Sequence, residues 1–148
     1  MKFIKSPTFK RFLILLFLFI LFTIVSAFSY VNAISNDIAQ SVFRLHVIAN
    51  SNSDEDQALK YKVRDNIIQY FNELSVNLNS KDEVIKVANE HIDEIKKVAQ
   101  DTIYDNGYDY DVKVEIGNFE FPTKQYGDIS LPAGFYDALK VEIGAAER

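Results

Sequence analysis

The stretch Ser41 to Asp56, SVFRLHVIANSNSDED, sets out a strand, a turn and a helix start in sixteen residues. Phe43, Leu45, Val47 and Ala49 alternate with Val42, Arg44, His46 and Ile48, the two-residue period of a half-buried strand. Asn50, Ser51 and Asn52 close it with side chains that bond their own backbone in turns. Ser53, with Asp56 three residues on, reads as a reciprocal cap for the helix that starts there. Asn50, Asn52, Asp54 and Asp56 also alternate like the oxygen ligands of a calcium loop. Such a loop needs Gly at its sixth position and a bidentate acid near its twelfth, where this chain has Glu55 and Tyr61. Turn and cap chemistry account for all four residues, and no metal is expected.

Upstream of this unit, residues 12 to 36 carry no charge, and Phe12 to Phe22 is unbroken Phe, Leu and Ile. Lys2, Lys5, Lys10 and Arg11 precede the run, so the segment reads as the n-region and h-region of an export signal. Val31-Asn32-Ala33 and Val25-Ser26-Ala27 offer small residues where signal peptidase cuts. The run is also close to the roughly 20 residues of a membrane span, so residues 1–33 are a signal peptide or a signal anchor. In either case the positive end stays inside. Residues 34–148 then form one extracytoplasmic domain.

Downstream, Leu59, Val63, Ile67, Tyr70, Phe71 and Leu74 recur at steps of three and four, predicting a helix over about 54–74. Asp56 and Lys60 are placed for an i,i+4 ion pair on it. Val76 to Asn79 is a short connection. Ser80 and Glu83 form a second capping box for a helix running to about Tyr104, with the stripe Val84, Ala88, Ile92, Ile95 and Ala99. Asn106-Gly107 supplies the left-handed stop. The period then changes to two: Val112, Val114 and Ile116 alternate with Asp111, Lys113 and Glu115. Gly117-Asn118 reads as a two-residue hairpin turn, after which Phe119 and Phe121 would continue the apolar face. A last strand over about 136–143 directs Leu139, Val141 and Ile143 inward and Ala138, Lys140 and Glu142 outward.

The expected fold is α+β in two layers. Two helices pack on one face of a mainly antiparallel sheet of about four strands, preceded by the apolar export helix. The chain has 148 residues, 48% of them hydrophobic, enough for one domain with a real core. It contains no cysteine, which excludes disulfides and thiolate chemistry within it. Four of its cations precede the apolar run, so the net charge of −5 belongs more than wholly to the exported part. Such a surface repels nucleic acid, and no nucleic-acid partner is expected.

Catalytic patterns are not found. Ser130 lies in Ile129-Ser130-Leu131 and not in a GxSxG elbow, and Asp128 lacks the second half of an aspartic dyad. His91 sits beside a helical stripe without an HExxH partner and reads as a helix-edge packing residue. Nothing combines nucleophile, base and oxyanion donor, so neither enzymatic activity nor a cofactor is expected. Two features stay open between packing and docking. One is the outer sheet face with Arg44 and His46. The other is the loop from Phe121 to Tyr136, whose aromatics either pin it to the core or anchor a partner.

Three blocks, RLHVIANSNSDEDQALKYKVRD (Arg44 to Asp65), FPTKQYGDISLPAG (Phe121 to Gly134) and YDALKVEIG (Tyr136 to Gly144), closely resemble the stage II sporulation protein R family of endospore-forming bacteria. The resemblance implies export from the forespore into the space between the two sporulation membranes. It also implies activation there of a membrane-embedded aspartic protease of the mother cell, which removes the pro-sequence of sigma factor E. The expected role is an intercellular signal, with Arg44, His46, Lys124, Tyr126 and Gly127 meeting the protease and the N-terminal helix meeting the membrane. The family usually continues into a tail rich in Trp, Cys and Pro, whereas this chain ends Ala145-Ala146-Glu147-Arg148 with neither Trp nor Cys. Three alternatives stand beside the signal: an inactive truncated copy, an exported domain binding cell wall or protein, and a hydrolase or metalloenzyme using His46 with nearby acids.

Overall fold

A computed structural model describes residues 7–74 and 80–146. Lys2 and Lys5, the expected connection Val76 to Asn79, and the terminal Glu147 and Arg148 lie outside the described residues. The chain divides into two units, Met1–Ile38 and Ala39–Arg148. In the first, helix α1 (Pro7–Ser41) starts, a helix of 35 residues in all. Its apolar side chains are exposed all round, Phe12, Leu15, Phe17, Phe19 and Phe22 among them. By length and composition the helix is apolar enough to cross a membrane.

The second unit follows the order β1 (Phe43–Ile48), α2 (Asp54–Glu73), α3 (Lys81–Glu90), α4 (Ile92–Asp105), β2 (Val112–Phe121), β3 (Lys124–Tyr126), β4 (Ile129–Leu131) and β5 (Gly134–Ile143). It is an α+β domain. Its main sheet has the order β1-β5-β2, and β3 and β4 form a separate two-stranded sheet. β5 lies parallel to β1 and antiparallel to β2, with Leu45 opposite Leu139 and Val114 opposite Val141. A parallel pair needs a long crossover, and here the crossover is everything between Ala49 and Ala133. The last strand thus enters at the centre of the sheet.

The helices cover one face. Leu59, Val63, Ile67, Ala88, Ile95, Ala99 and Ile103 close over Val112, Leu139, Val141 and Ile143, all buried. Truncating one such residue, Ile67→Ala for instance, removes about 2–5 kcal/mol. Both Ser hydroxyls cap, Ser53 Oγ accepting from Asp56 N at 3.2 Å and Ser80 Oγ from Glu83 N at 3.3 Å, but the reciprocal bond expected at the first is replaced, Ser53 N–H donating to Ser51 Oγ at 3.2 Å. α4 ends as Asn106-Gly107 predicts, in a Schellman motif. Gly107 has φ +82°, its N–H bonds Tyr104 O, and Tyr108 N–H bonds Ile103 O.

Four expectations are corrected. The helix predicted over 80–104 is two helices, broken at His91, whose backbone leaves the helical region (φ −110°, ψ 20°). Its ring accepts or donates at Nδ1 to Tyr70 Oη, 2.9 Å away on α2. Gly117-Asn118 is no hairpin turn, because β2 runs straight through it with Gly117 opposite Ala138 and Asn118 opposite Asp137. Consequently Phe119 and Phe121 lie on the face opposite Val114 and Ile116, since parity is conserved along an unbroken strand. Ala138 does not face water: it is fully buried with Tyr136 and Phe121 in a second cluster on that face, flanked by Phe119, Val42 and Leu131. Finally, Asp56 turns toward Asn50 and Ser51 instead of pairing with Lys60, whose Nζ donates to Gln57 Oε1.

Candidate functional site

The sheet face away from the helices changes character along its length, and the register explains how. At one end β1, β5 and β2 set His46, Lys140 and Glu115 side by side, followed by Glu142 opposite Lys113. Lys140 holds both acids, Glu115 directly and Glu142 at 3.1 Å. The hydrogen bonds from Lys140 pull the Glu115 and Glu142 carboxyls below the usual range, and the same bonds raise the ammonium of Lys140. At the other end lie Phe119, Tyr136 and Phe121.

Between the two comes the row Arg44, Ala138, Gly117. Small residues at Ala138 and Gly117 leave room there, and the Phe119 ring fills part of it: a Cβ on Gly117 would sit 3.1 Å from Phe119 Cζ. The rest accommodates the guanidinium of Arg44. It lies 4.0 Å from the centre of the Phe121 ring and 4.9 Å from that of Tyr136, two rings set edge to face at 80°, so it makes cation–π contacts with both. Arg44 is only 8% exposed. Its Nη2 donates to Tyr126 Oη at 3.3 Å, while Nη1 is buried and has no hydrogen-bond partner among the described residues.

Arg44, His46, Lys124 and Tyr126 line one open cleft of about 430 Å³. Four of the five residues singled out in the sequence thus come together. His46 is half-buried, its ring edge-on to Phe121 at 5.1 Å. Gly127, the fifth, does not line the cleft. With φ +57° it takes the first central position of the two-residue turn joining β3 to β4, as a type II′ hairpin requires. Gln57 and Lys60 line the cleft as well, and sequence reasoning missed them. Their helical spacing signals only a solvent-facing flank of α2, and no local pattern reports which strand that flank adjoins.

The loop is divided between buried and exposed side chains. Phe121 and Tyr136 are buried, and Tyr136 Oη donates to Pro132 O at 2.7 Å. Tyr126, Ile129 and Phe135 are exposed. The base of the hairpin is tied by Ala133 N–H donating to Thr123 Oγ1 at 3.1 Å.

The Asn50–Asp56 segment is structural. Asp56 Oδ2 accepts from Ser51 Oγ at 2.6 Å and from Asn50 Nδ2 at 2.9 Å. Those bonds, Ser51 first, hold its carboxyl below the ordinary aspartate range against the opposing effect of burial. Asn50 Oδ1 accepts from Ala145 N–H at 2.9 Å, which fastens the end of β5 to the start of α2. Gly144 turns the chain there at φ +57°, and a Cβ on it would meet Asn50 Oδ1 at 2.2 Å.

The stage II sporulation protein R (spore_II_R) family model matches residues 39–148, the whole of the second unit. Stage II sporulation protein R of Bacillus subtilis (strain 168) is 34% identical over 107 residues, 72% of this chain and 48% of the relative. The chain therefore spans about half the length of that curated relative. No solved structure matches the chain. The blocks carrying Arg44, Lys124 and Tyr126, the capped turn and the central last strand are all inside the matched region, and the chain belongs to the stage II sporulation protein R family.

Proposed function

We propose that this chain is an exported intercellular signal of sporulation, which acts without chemistry of its own by docking on a membrane-embedded aspartic protease and promoting pro-sigma-E processing. The observation that carries the reading is the family match over the entire second unit. It is supported by the apolar helix α1, which suits export or anchoring, with export running from the forespore into the intermembrane space. Docking falls to the cleft of Arg44, His46, Lys124 and Tyr126, with Gly127 shaping the hairpin beside it. Such a signal works only by binding the active arrangement of the protease better than the inactive one. A nearly complete switch calls for about 10⁴ in relative affinity, roughly 5.5 kcal/mol.

The test is co-expression of the full chain with the protease and pro-sigma-E, followed by immunoblotting for the processed factor. Processing that depends on this chain supports the reading. Its absence, from a chain shown by protease protection to be exported and by circular dichroism to be folded, refutes activity for this copy.

A further inference from the structure

Arg44 is a buried cation that lacks an anion. It forms no ion pair among the described residues; Glu120, which lines the same cleft, is not paired with it. A charge withdrawn from water without a partner is costly, and an unmade hydrogen bond at Nη1 adds to that cost. The guanidinium is nevertheless held against two rings, 4.0 and 4.9 Å from their centres, and a planar guanidinium fork can receive a carboxylate bidentately. Tyr126 Oη, at 3.3 Å, is farther than the roughly 2.7–2.9 Å of a charge-assisted bond. It is a weak occupant that a carboxylate can displace. Lys60 and Lys124 bring two more cations to the walls.

The strand that carries Arg44 adds a second observation. β1 pairs only with β5 and is an edge of the main sheet. The consecutive residues Arg44 to Ala49 line the cleft, so the cleft runs along that edge. An unpaired edge is a template for an incoming strand.

Resting on the docking reading above, we infer that the cleft receives an extended acidic segment of the partner protein, laid along β1 with one carboxylate on Arg44. Charge complementarity selects this occupant: three cations line the cleft, none of them in an ion pair among the described residues, and Arg44 is the buried one.

The test is an NMR titration of the full chain in zwitterionic detergent micelles, reading the Arg44 Nε–H signal and the amides of residues 44–49. The probe is a mixture of acetylated, amidated hexapeptides with Glu fixed at the third position and Thr, Val, Ser or Ile elsewhere. The control mixture carries Gln in place of Glu. The Glu mixture is expected to shift these signals, and the Gln mixture to bind about 10- to 100-fold more weakly, the value of a hydrogen-bonded charge. Combined Lys60→Glu and Lys124→Glu substitutions, on one half-buried and one exposed side chain outside the core, are expected to weaken the Glu mixture at least several-fold. Equal affinity for the two mixtures, shifts confined to other surfaces, or no shifts at all overturn the inference. If the peptides behave as expected while co-expression gives no processing, the cleft chemistry stands and the choice of protease as partner falls.

Discussion

Replacing Asp56 by Asn tests the turn that joins β1, α2 and the end of β5. The carboxylate is 4% exposed and accepts from Ser51 at 2.6 Å and Asn50 at 2.9 Å. A hydrogen bond to a charged group contributes about 1.5–3 kcal/mol against about 1 for a neutral one, so neutralising the shared acceptor weakens two bonds by about 1 kcal/mol each. Asp56 also stands in the first turn of α2, where a negative charge is worth about 0.3–1 kcal/mol against the helix dipole. The expected loss is about 2.5 kcal/mol at neutral pH, or about 10 °C in Tm at roughly 4 °C per kcal/mol. Thermal unfolding of the full chain in detergent, followed by far-ultraviolet circular dichroism, measures it.

The pH dependence supplies an internal control. The folded carboxyl titrates below its unfolded counterpart, so its stabilisation is fully present above the ordinary aspartate pKa of about 3.9. It is lost as pH falls through the depressed folded value. Asp56→Asn cannot titrate, so the Tm gap between the two proteins should be widest near neutrality and narrow under acid. A gap under about 3 °C at pH 7, or one that does not narrow in acid, refutes the reasoning.

Gly144→Ala forces a side chain into a left-handed conformation and against Asn50 Oδ1; a loss of about 2 kcal/mol or more is expected by the same unfolding assay. Asn50→Ala removes the link to both Asp56 and Ala145, and combined with Asp56→Asn it should cost clearly less than the two losses added, as a double-mutant cycle will read. Gly117→Val collides with the Phe119 ring and should destabilise by about 1–3 kcal/mol, whereas a true hairpin turn at this position would leave that ring untouched. Lys140→Met removes the shared donor of Glu115 and Glu142; a carbon-detected NMR titration should show both carboxyls rising toward the ordinary glutamate range. In the parent their stabilisation is present above the unfolded glutamate pKa and lost as pH falls through the lowered folded values, and this acid-sensitive component should shrink in the variant, where Lys113 alone still faces the two acids.

Much of the fold is legible in residues that act locally. Ser53 and Ser80 cap where their spacing says they should, Gly107 stops α4, and the stripe Leu59, Val63, Ile67 faces the core, because capping and helical periodicity are decided within a few residues. Gly117-Asn118 misleads for the same reason. The dipeptide permits a turn, but ten consecutive pairings with β5 outweigh a local preference, and the strand continues. The candidate site is legible in four of its members and not in its arrangement. Arg44 and His46 follow from strand parity, and Lys124 and Tyr126 from the aromatic loop.

The sequence by itself determined the apolar N-terminal helix, the capped turn after β1 and the α+β order of elements, since each depends on side chains close in the chain. Only the tertiary structure decided that β5 enters between β1 and β2, and from that insertion the rest follows. It makes β1 an edge, buries Ala138 and Tyr136 on the face expected to meet water, and sets two rings against Arg44, which has no ion pair among the described residues. Contacts between residues some ninety positions apart leave no periodic trace in a single chain, because their energy is set by which surfaces meet and not by what stands next in line.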